Sequence, residues 1–119
     1  MTTLHSIRKH DAIILHPAGA LGIGKGVEKL KMAMDAALAT TAREIVLDLS
    51  AVKYLDAAGL RELIACRRKA LVNGRRLVLT GVHSLVEEIL EVAQLRGAFD
   101  MVPRDRETLS EPETPLVLA

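Results

Sequence analysis

Short apolar runs and longer helical periodicities alternate along this chain, and each change of period predicts a new element. The run A-I-I-L at residues 12–15 is rich in β-branched side chains and is followed by Pro17, which is typical of a strand that stops. We predict a strand over residues 10–16, paired through a turn at residues 9–11 with a short strand over residues 4–8. This hairpin introduces antiparallel pairing at the start of the sheet.

The period changes to a helical one after the glycines at residues 19–26. Val27, Leu30 and Met34 recur at helical spacing, which predicts an amphipathic helix over residues 25–40. The run E-I-V-L-D-L at residues 44–49 is short, apolar and rich in β-branched side chains. Such a run favours a strand covered on both faces, as in a parallel sheet.

A second helix and another strand follow in the same alternation. Its apolar stripe consists of Leu60, Leu63, Ile64 and Leu71. The stripe predicts a helix that begins near Ala57 and stops at Asn73 and Gly74, a good helix-ending pair. The run R-R-L-V-L-T at residues 75–80 predicts the next strand.

The last third of the chain predicts a third helix and a short edge strand. Ser84 and Glu87 have the spacing of a capping box, with an apolar pattern after them. Residues 99–102 are the candidate edge strand, and residues 104–110 can add a helical turn. Residues 111–119 contain two prolines and no period, so we expect a poorly ordered tail, although its final L-V-L could dock.

The predicted order defines an α/β fold with a small mixed sheet of four to five strands. Strands that alternate with helices imply parallel pairing through right-handed crossovers, while the first hairpin is antiparallel. The 119 residues suit one domain, which we place at residues 1–109 with a tail at 110–119. The chain is 50% apolar and 26% charged, a balance typical of globular proteins.

Charge, cysteine and aromatic content narrow the class of function. A net charge of +1 argues against a dedicated nucleic-acid binder, and an aromatic content of 2% leaves no platform for stacking bases. The single cysteine, Cys66, fits a reducing compartment and a role as a small buried hydrophobe. Without a recognisable signal peptide or an apolar run long enough for a membrane span, we expect a cytoplasmic location.

Classical catalytic and metal-binding patterns are missing from the sequence. The four histidines, His5, His10, His16 and His83, are scattered and share no metal-ligand spacing. We therefore predict no metal, no cofactor and no catalytic residue.

One glycine-rich segment has part of a phosphate-binding pattern. Gly19, Gly24 and Lys25 fit G-x-x-x-x-G-K, but Gly26 stands where the motif requires Ser or Thr to ligate Mg²⁺. The segment also follows a predicted strand and precedes a predicted helix. A nucleotide-binding regulator that uses this loop stays open as an alternative, as does a plain loop that needs tight turns.

The most informative segment is D-A-A-G-L at residues 56–60. Asp56 stands where an N-cap should stand, and Ala57, Ala58 and Gly59 would form the first turn of the helix before the stripe begins at Leu60. Capping alone explains the aspartate but not three small residues in succession. Small side chains leave a helix end open, so a partner can approach it closely.

At these residues the sequence resembles the STAS domains, and specifically the bacterial anti-sigma factor antagonists. The resemblance extends over residues 4–109. It rests on L-D-L-S at residues 47–50, apolar Val52 and aromatic Tyr54, D-A-A-G at 56–59, G-L-x-x-L at 59–63, N-G-R-R-L-V-L at 73–79, L-x-x-x-F at 95–99, and Gly19 after the second strand. It implies a mixed sheet with helices packed mainly on one face, and a non-enzymatic domain that binds an anti-sigma factor with serine-kinase activity.

The chain departs from that family pattern at the position of the switch. The family resemblance implies a serine in a D-S-S-G or D-S-A-G turn, which the kinase phosphorylates to end the interaction. Ala57 and Ala58 have no hydroxyl, so the resemblance carries over as a binding role through Asp56, Ala57, Ala58, Gly59 and Leu60 without that phosphorylation. A second alternative within the same fold is an accessory subunit of a transporter, such as a lipid-trafficking ABC system.

Overall fold

The computed structural model describes residues 2–102 and 114–116, whose strands form one mixed sheet. The elements, in chain order, are β1 (Thr2–Lys9), β2 (Ala12–Leu21), α1 (Lys25–Leu38), β3 (Glu44–Asp48), β4 (Val52–Leu55), α2 (Ala57–Val72), β5 (Arg76–Thr80), α3 (Ser84–Val92), a 3-10 turn (Arg96–Ala98), β6 (Asp100–Val102) and β7 (Thr114–Leu116). The predicted α/β fold class is confirmed. The described residues contribute seven strands to the sheet, against the four to five that the sequence predicted.

The sheet is parallel at its centre and antiparallel at one side. Its strands lie in the order β6, β5, β3, β2, β1, β7, with β1 antiparallel to both of its neighbours and the others parallel. β4 also pairs in parallel with β2, with Leu55 beside Leu21. Since β1 occupies the other edge of β2, β3 and β4 must follow one another along the same edge.

Two strand predictions are corrected by this arrangement. β2 does not stop near Pro17 but continues to Leu21, because β1 on one edge and β4 on the other supply pairing partners beyond the proline. β4 itself escaped prediction because it has only four residues and its two central side chains, Lys53 and Tyr54, are both exposed. Its pattern does not alternate, so it lacks the usual sequence signal of a strand.

The main core lies between one face of the sheet and the helices. Alternate strand residues such as Ile13, Ile45 and Leu79 point into it, and they are joined by Leu30 from α1 and Leu63 from α2. The opposite face of the sheet carries a much smaller buried apolar cluster made of Ile14, Val46 and Val78. Burial of apolar surface is therefore concentrated on the face that carries the helices, as the family resemblance implied.

Helix boundaries agree with prediction except in detail. α1 ends at Leu38 because the Thr40 hydroxyl donates to the Ala37 carbonyl at 2.7 Å and accepts from the Ala42 N–H at 3.2 Å. The predicted capping box of α3 is wrong, because Ser84 is already the first helical residue. The N-cap is His83, whose side chain makes no capping hydrogen bond.

The predicted C-terminal tail is described only in part. Thr114–Leu116 form β7, which pairs with β1 at the edge of the sheet, so these three residues differ from the unstructured tail we expected. The helical turn predicted at residues 104–110 lies outside the described residues. The division into a domain at 1–109 and a tail at 110–119 stays a prediction.

A carboxylate is buried between α1 and α2, where no sequence pattern pointed to one. The Glu62 side chain is 4% exposed; its Oε2 accepts from the Cys66 thiol at 3.7 Å, and its Oε1 lies 4.0 Å from Lys31 Nζ. Burial is the main cause that raises the pKa of Glu62 above its ordinary value. Burial likewise raises the pKa of the Cys66 thiol to about 12, so Cys66 is the inert buried hydrophobe that the sequence predicted.

We expect Glu62→Gln to make the protein more stable at neutral pH. The pKa of Glu62 is higher in the folded state than in the unfolded state. Its contribution to the free energy of unfolding is therefore fully present below the unfolded pKa and is lost as pH rises through the folded pKa. Gln keeps an acceptor for Cys66 but has no charge to desolvate. The urea midpoint of the variant should be higher than that of wild type at pH 7.5 and should match it near pH 4. Glu88→Gln, at an exposed position in the middle of α3, is the control and should change the midpoint at neither pH. A lower midpoint at pH 7.5 would contradict this expectation.

Candidate functional site

The candidate site is centred on the aspartate that opens α2. Asp56 is the N-cap residue, and its Oδ1 accepts from the Gly59 N–H at 2.9 Å. Its Oδ2 accepts from the Ile23 N–H at 3.1 Å, which ties the loop after β2 to the start of α2. These hydrogen bonds to the charged carboxylate, the one from Gly59 first, lower the pKa of Asp56. The predicted cap and the predicted helix start at Ala57 are both confirmed.

The small residues after Asp56 fit a place where two chain segments meet closely. Gly59 is buried, and a Cβ at this position would lie 2.0 Å from the carbonyl oxygen of Leu21. Ala57 is exposed and Ala58 is partly exposed, so both are accessible from outside. The three small residues therefore have two different roles. Gly59 lets α2 pack against the end of β2. The two alanines carry only a methyl group each, so no bulky side chain covers the outer surface of the turn.

A cleft on the α1 side of the turn brings Asp56 together with the glycine-rich segment. It has a volume of about 340 Å³ and is lined by Gly22, Lys25, Lys29, Tyr54 and Asp56, among others. A Cβ at Gly22 would come within 2.7 Å of Asp56 Oδ2 and 2.9 Å of the Tyr54 ring, so a larger residue would displace these two side chains. The close approach of the β2–α1 loop to Asp56 therefore depends on this glycine.

The phosphate-loop interpretation of the glycines does not match this geometry. Gly19 lies within β2, where it pairs with Thr2 and Val52, so the loop before α1 is reduced to three residues at 22–24. The Ile23 N–H is already bonded to a carboxylate. Lys25 is exposed as the first residue of α1. Gly19, Gly24 and Lys25 therefore do not form the continuous loop that the motif requires.

An apolar groove borders the other side of the turn, between α2 and α3. It has a volume of about 480 Å³ and is lined by Leu55, Asp56, Ala57, Leu60, Leu85, Glu88, Ile89, Val92 and Ala93. Two of its apolar residues are far from buried, since Leu85 is 36% exposed and Val92 is 80% exposed. The predicted site residues Asp56, Ala57 and Leu60 thus lie on one wall of a groove that offers apolar surface to a partner.

Exposed apolar side chains surround the turn on both sides, and sequence analysis had missed most of them. Ile23 and Tyr54, at the α1 side, are 85% and 53% exposed; Leu85 and Val92 lie across the turn on α3. We call these four residues the apolar rim. A signal was available for α3, because it has apolar residues at 85, 86, 89, 90 and 92, more than one buried stripe needs.

The scattered histidines do not assemble into a site. His16 Nδ1 lies 3.3 Å from Asp48 Oδ2, and His83 Nε2 lies 2.8 Å from the Val52 carbonyl oxygen. Within residues 2–102 and 114–116, no group of three histidine, cysteine, aspartate or glutamate side chains could hold a metal ion. A search of the same residues finds no helix long and apolar enough to cross a membrane.

We expect Asp56→Ala to lower the melting temperature by about 4–8 °C, because it removes the cap of α2 and the link to Ile23. Asp56→Asn should lose less, since its side-chain oxygen can still accept one of the two hydrogen bonds. Thermal unfolding followed by circular dichroism measures both variants. Asp11→Ala, which removes an exposed carboxylate, is the control; an equal loss from Asp11→Ala and Asp56→Ala would contradict a special role for the cap.

The fold and the capped turn together define a STAS-type domain. Its features are a mixed sheet with helices mainly on one face, and a turn of small residues at the start of the helix that follows β4. A comparison with protein families agrees, since the model described as "Mlab, STAS domain" matches residues 7–103. The chain therefore belongs to the STAS family.

Solved structures with the same fold include signalling and transport proteins. A putative anti-sigma factor antagonist from Thermotoga maritima superposes with a TM-score of 0.75 at 22% identity, over 87% of this chain and 90% of that one. The phosphorylated form of the Bacillus cell fate determinant SpoIIAA gives a TM-score of 0.68 at 14% identity, over 92% and 96%. A sulfate transporter family protein from Wolinella succinogenes gives 0.67 at 20% identity, over 84% of each chain. At these identities the likeness establishes the shared fold.

Proposed function

We propose that this chain is a non-enzymatic regulatory domain that binds a protein partner through the 56–59 turn (Asp56, Ala57, Ala58 and Gly59), Leu60 and the apolar rim. The observation that carries the proposal is the position of the capped turn, which lies between a cleft and a groove and is surrounded by exposed apolar side chains. Apolar surface of this kind, next to rigid backbone, is what a protein partner can bury.

The first candidate partner is an anti-sigma factor, in particular one with serine-kinase activity. The likeness to anti-sigma factor antagonists supports this choice, as does the agreement between the D-A-A-G turn and the family's D-S-S-G turn. The bound partner would release its sigma factor, so the domain would act on transcription from the cytoplasm. The turn offers Asp56 as a cap and alanines as contact surface, an arrangement suited to docking rather than to covalent chemistry.

Docking by this chain is expected to lack phosphate control at the turn. SpoIIAA has a phosphorylated form, whereas Ala57 and Ala58 have no hydroxyl to accept a phosphoryl group. In the family, a phosphate would add a charge of about −1.5 to −2 to the contact surface. Without that step, the chain would bind constitutively, as a decoy for the kinase or as a scaffold within a larger signalling assembly.

The second candidate partner is a transporter subunit. One observation favours it: a structural neighbour of this chain is a sulfate transporter family protein. A constitutive contact also suits a permanent accessory subunit. The nucleotide-binding alternative gains less support, because the cleft beside Lys25 and Lys29 already holds the Asp56 carboxylate, whose lowered pKa keeps it charged against a phosphate.

Affinity capture from the native lysate tests the proposal and separates the two partners. Tagged wild-type chain and tagged Ala58→Glu are compared as baits, and the proteins lost with the Glu variant are identified by mass spectrometry. An anti-sigma factor or serine kinase would support the first candidate, and an ATPase or permease subunit would support the second. Identical sets of captured proteins for the two baits would refute docking through the turn.

A further inference from the structure

A second cleft lies where α2 ends and β5 begins, away from the 56–59 turn at the start of α2. α2 has 16 residues, so its two ends are about 24 Å apart. The cleft has a volume of about 130 Å³. This is below the roughly 300–1,000 Å³ of sites for drug-sized ligands, so the cleft suits only a small molecule. Its described lining contains three arginines, Arg67, Arg75 and Arg76, with Asp100 as its one carboxylate.

The floor of this arginine cleft is apolar. Leu77 and Phe99 are 8% and 7% exposed, and Ala98 lies beside them. Leu71 is 61% exposed, although the apolar stripe predicted it to face the core. Arg67 precedes Leu71 by one helical turn, so both side chains project from the same face of α2. The exposed leucine is thus accounted for as a wall of the cleft rather than as part of the core.

The three guanidinium groups differ in how their charge is balanced. Arg76 is paired with two carboxylates, at 3.1 Å from Glu44 Oε2 and 3.4 Å from Asp100 Oδ2. Arg75 instead donates to two backbone carbonyls, those of Ala42 at 2.7 Å and Leu38 at 3.2 Å, which fix its plane without neutralising its charge.

Arg67 has no hydrogen-bond or ion-pair partner assigned within residues 2–102 and 114–116. Among the described residues, the cleft therefore holds one guanidinium fixed by backbone carbonyls and a second one with no assigned partner, neither of them paired with a carboxylate, above an apolar floor. Guanidinium groups bind carboxylates and phosphates with paired hydrogen bonds, and an apolar floor favours a ligand that also has a hydrophobic part.

We propose that the arginine cleft binds a small organic anion, one with a carboxylate or phosphate head group attached to an aromatic or branched apolar body. The head group lies against Arg67 and Arg75, and the apolar body covers Leu71 and Phe99. The site is separate from the 56–59 turn and does not depend on the partner proposed for it.

Chemical shift titration of the ¹⁵N-labelled full chain tests this site with three probes of similar size: benzoate, phenyl phosphate and benzyl alcohol. Benzoate or phenyl phosphate is expected to give saturable shifts at residues 67–77 and 98–100, and whichever binds more tightly identifies the head group. Benzyl alcohol has the apolar body without the charge and should not saturate over the same range. Saturation by benzyl alcohol at equal affinity would overturn the assignment of an anion site.

Two neighbouring arginines give a matched pair of variants. Arg67→Gln should weaken binding of the anion at least about tenfold, which corresponds to about 1.4 kcal/mol. Arg68→Gln removes the same charge from the adjacent, exposed position outside the cleft and should change the Kd by less than about twofold. Equal weakening by both would mean general attraction to a basic surface and would refute the site. Ala58→Glu should leave the titration unchanged, which separates this result from any result at the turn.

Discussion

Gly59→Ala should destabilise the protein by about 2 kcal/mol or more, although alanine is the better helix former. Propensity alone favours alanine over glycine within a helix by about 1 kcal/mol. The new Cβ, however, would lie 2.0 Å from the Leu21 carbonyl oxygen and 2.7 Å from Leu55 Cδ1. The first of these atoms is backbone within β2, so α2 or the strand must move, and overpacking against backbone that cannot yield costs about 3 kcal/mol or more. The propensity gain of about 1 kcal/mol offsets only part of this cost, which leaves the net loss of about 2 kcal/mol or more.

Urea denaturation measures this effect against a glycine that has room. With a slope of about 1–3 kcal/mol per molar for small proteins, the midpoint should fall by about 1 M. Gly97→Ala is the control, because a Cβ there meets no atom within 4 Å and its φ is not positive. Gly59→Ala should also weaken partner binding in proportion to any displacement of Asp56 and Ala58. A midpoint for Gly59→Ala at or above wild type would show that the contact between α2 and β2 relaxes without cost.

The contrast between these two glycines illustrates what the sequence could and could not predict. The cap at Asp56 and the start of α2 were predictable because they depend on residues that are neighbours in sequence. The close contact between Gly59 and Leu21 joins residues 38 positions apart and leaves no local pattern. The same is true of β4, whose four residues become a strand because the far half of β2 offers an edge to pair with.

The helical stripe of α2 was the least reliable part of the sequence-based core. Leu63 is buried as predicted, but Leu71 is 61% exposed, while Glu62 is buried at 4% exposure. Besides Leu63, the buried face of α2 consists of small residues and the glutamate, because α1 packs close to it and supplies Lys31 opposite Glu62. Hydrophobicity alone cannot predict that a leucine is less buried than a glutamate, because the burial of each depends on which neighbouring helix covers it. The exposure of Leu71, and that of Ile23 and Tyr54 in the apolar rim, is therefore visible only in the structure.

Ala58→Glu should weaken binding of the captured partner at least about a hundredfold if the 56–59 turn is the docking surface. The Ala58 side chain is partly exposed in the first turn of α2, two residues after Asp56. An added carboxylate there must lose its water when the partner docks, and an uncompensated charge in an interface costs several kcal/mol. The helix N-terminus tolerates a negative charge, so the variant itself should remain folded. Isothermal titration of the purified partner measures the loss.

Two further variants test whether the position of the added charge, and not the charge alone, weakens partner binding. Ala39→Glu adds the same carboxylate at an exposed residue just after α1 and should bind as wild type does. Ala58→Ser adds only a hydroxyl, so its affinity should stay within about threefold of wild type.

If the partner is a serine kinase, incubation with ATP should phosphorylate the hydroxyl introduced by Ala58→Ser. The affinity of this variant should then fall toward that of Ala58→Glu, whereas wild type should gain no phosphate in the turn. Phosphate on Ser50 or Ser84 of the wild-type chain would show that control had moved to another residue, and equal affinity for all the variants would show that the partner binds elsewhere. The serine variant thus tests whether this chain has kept the docking surface of its family while losing the residue that regulates it.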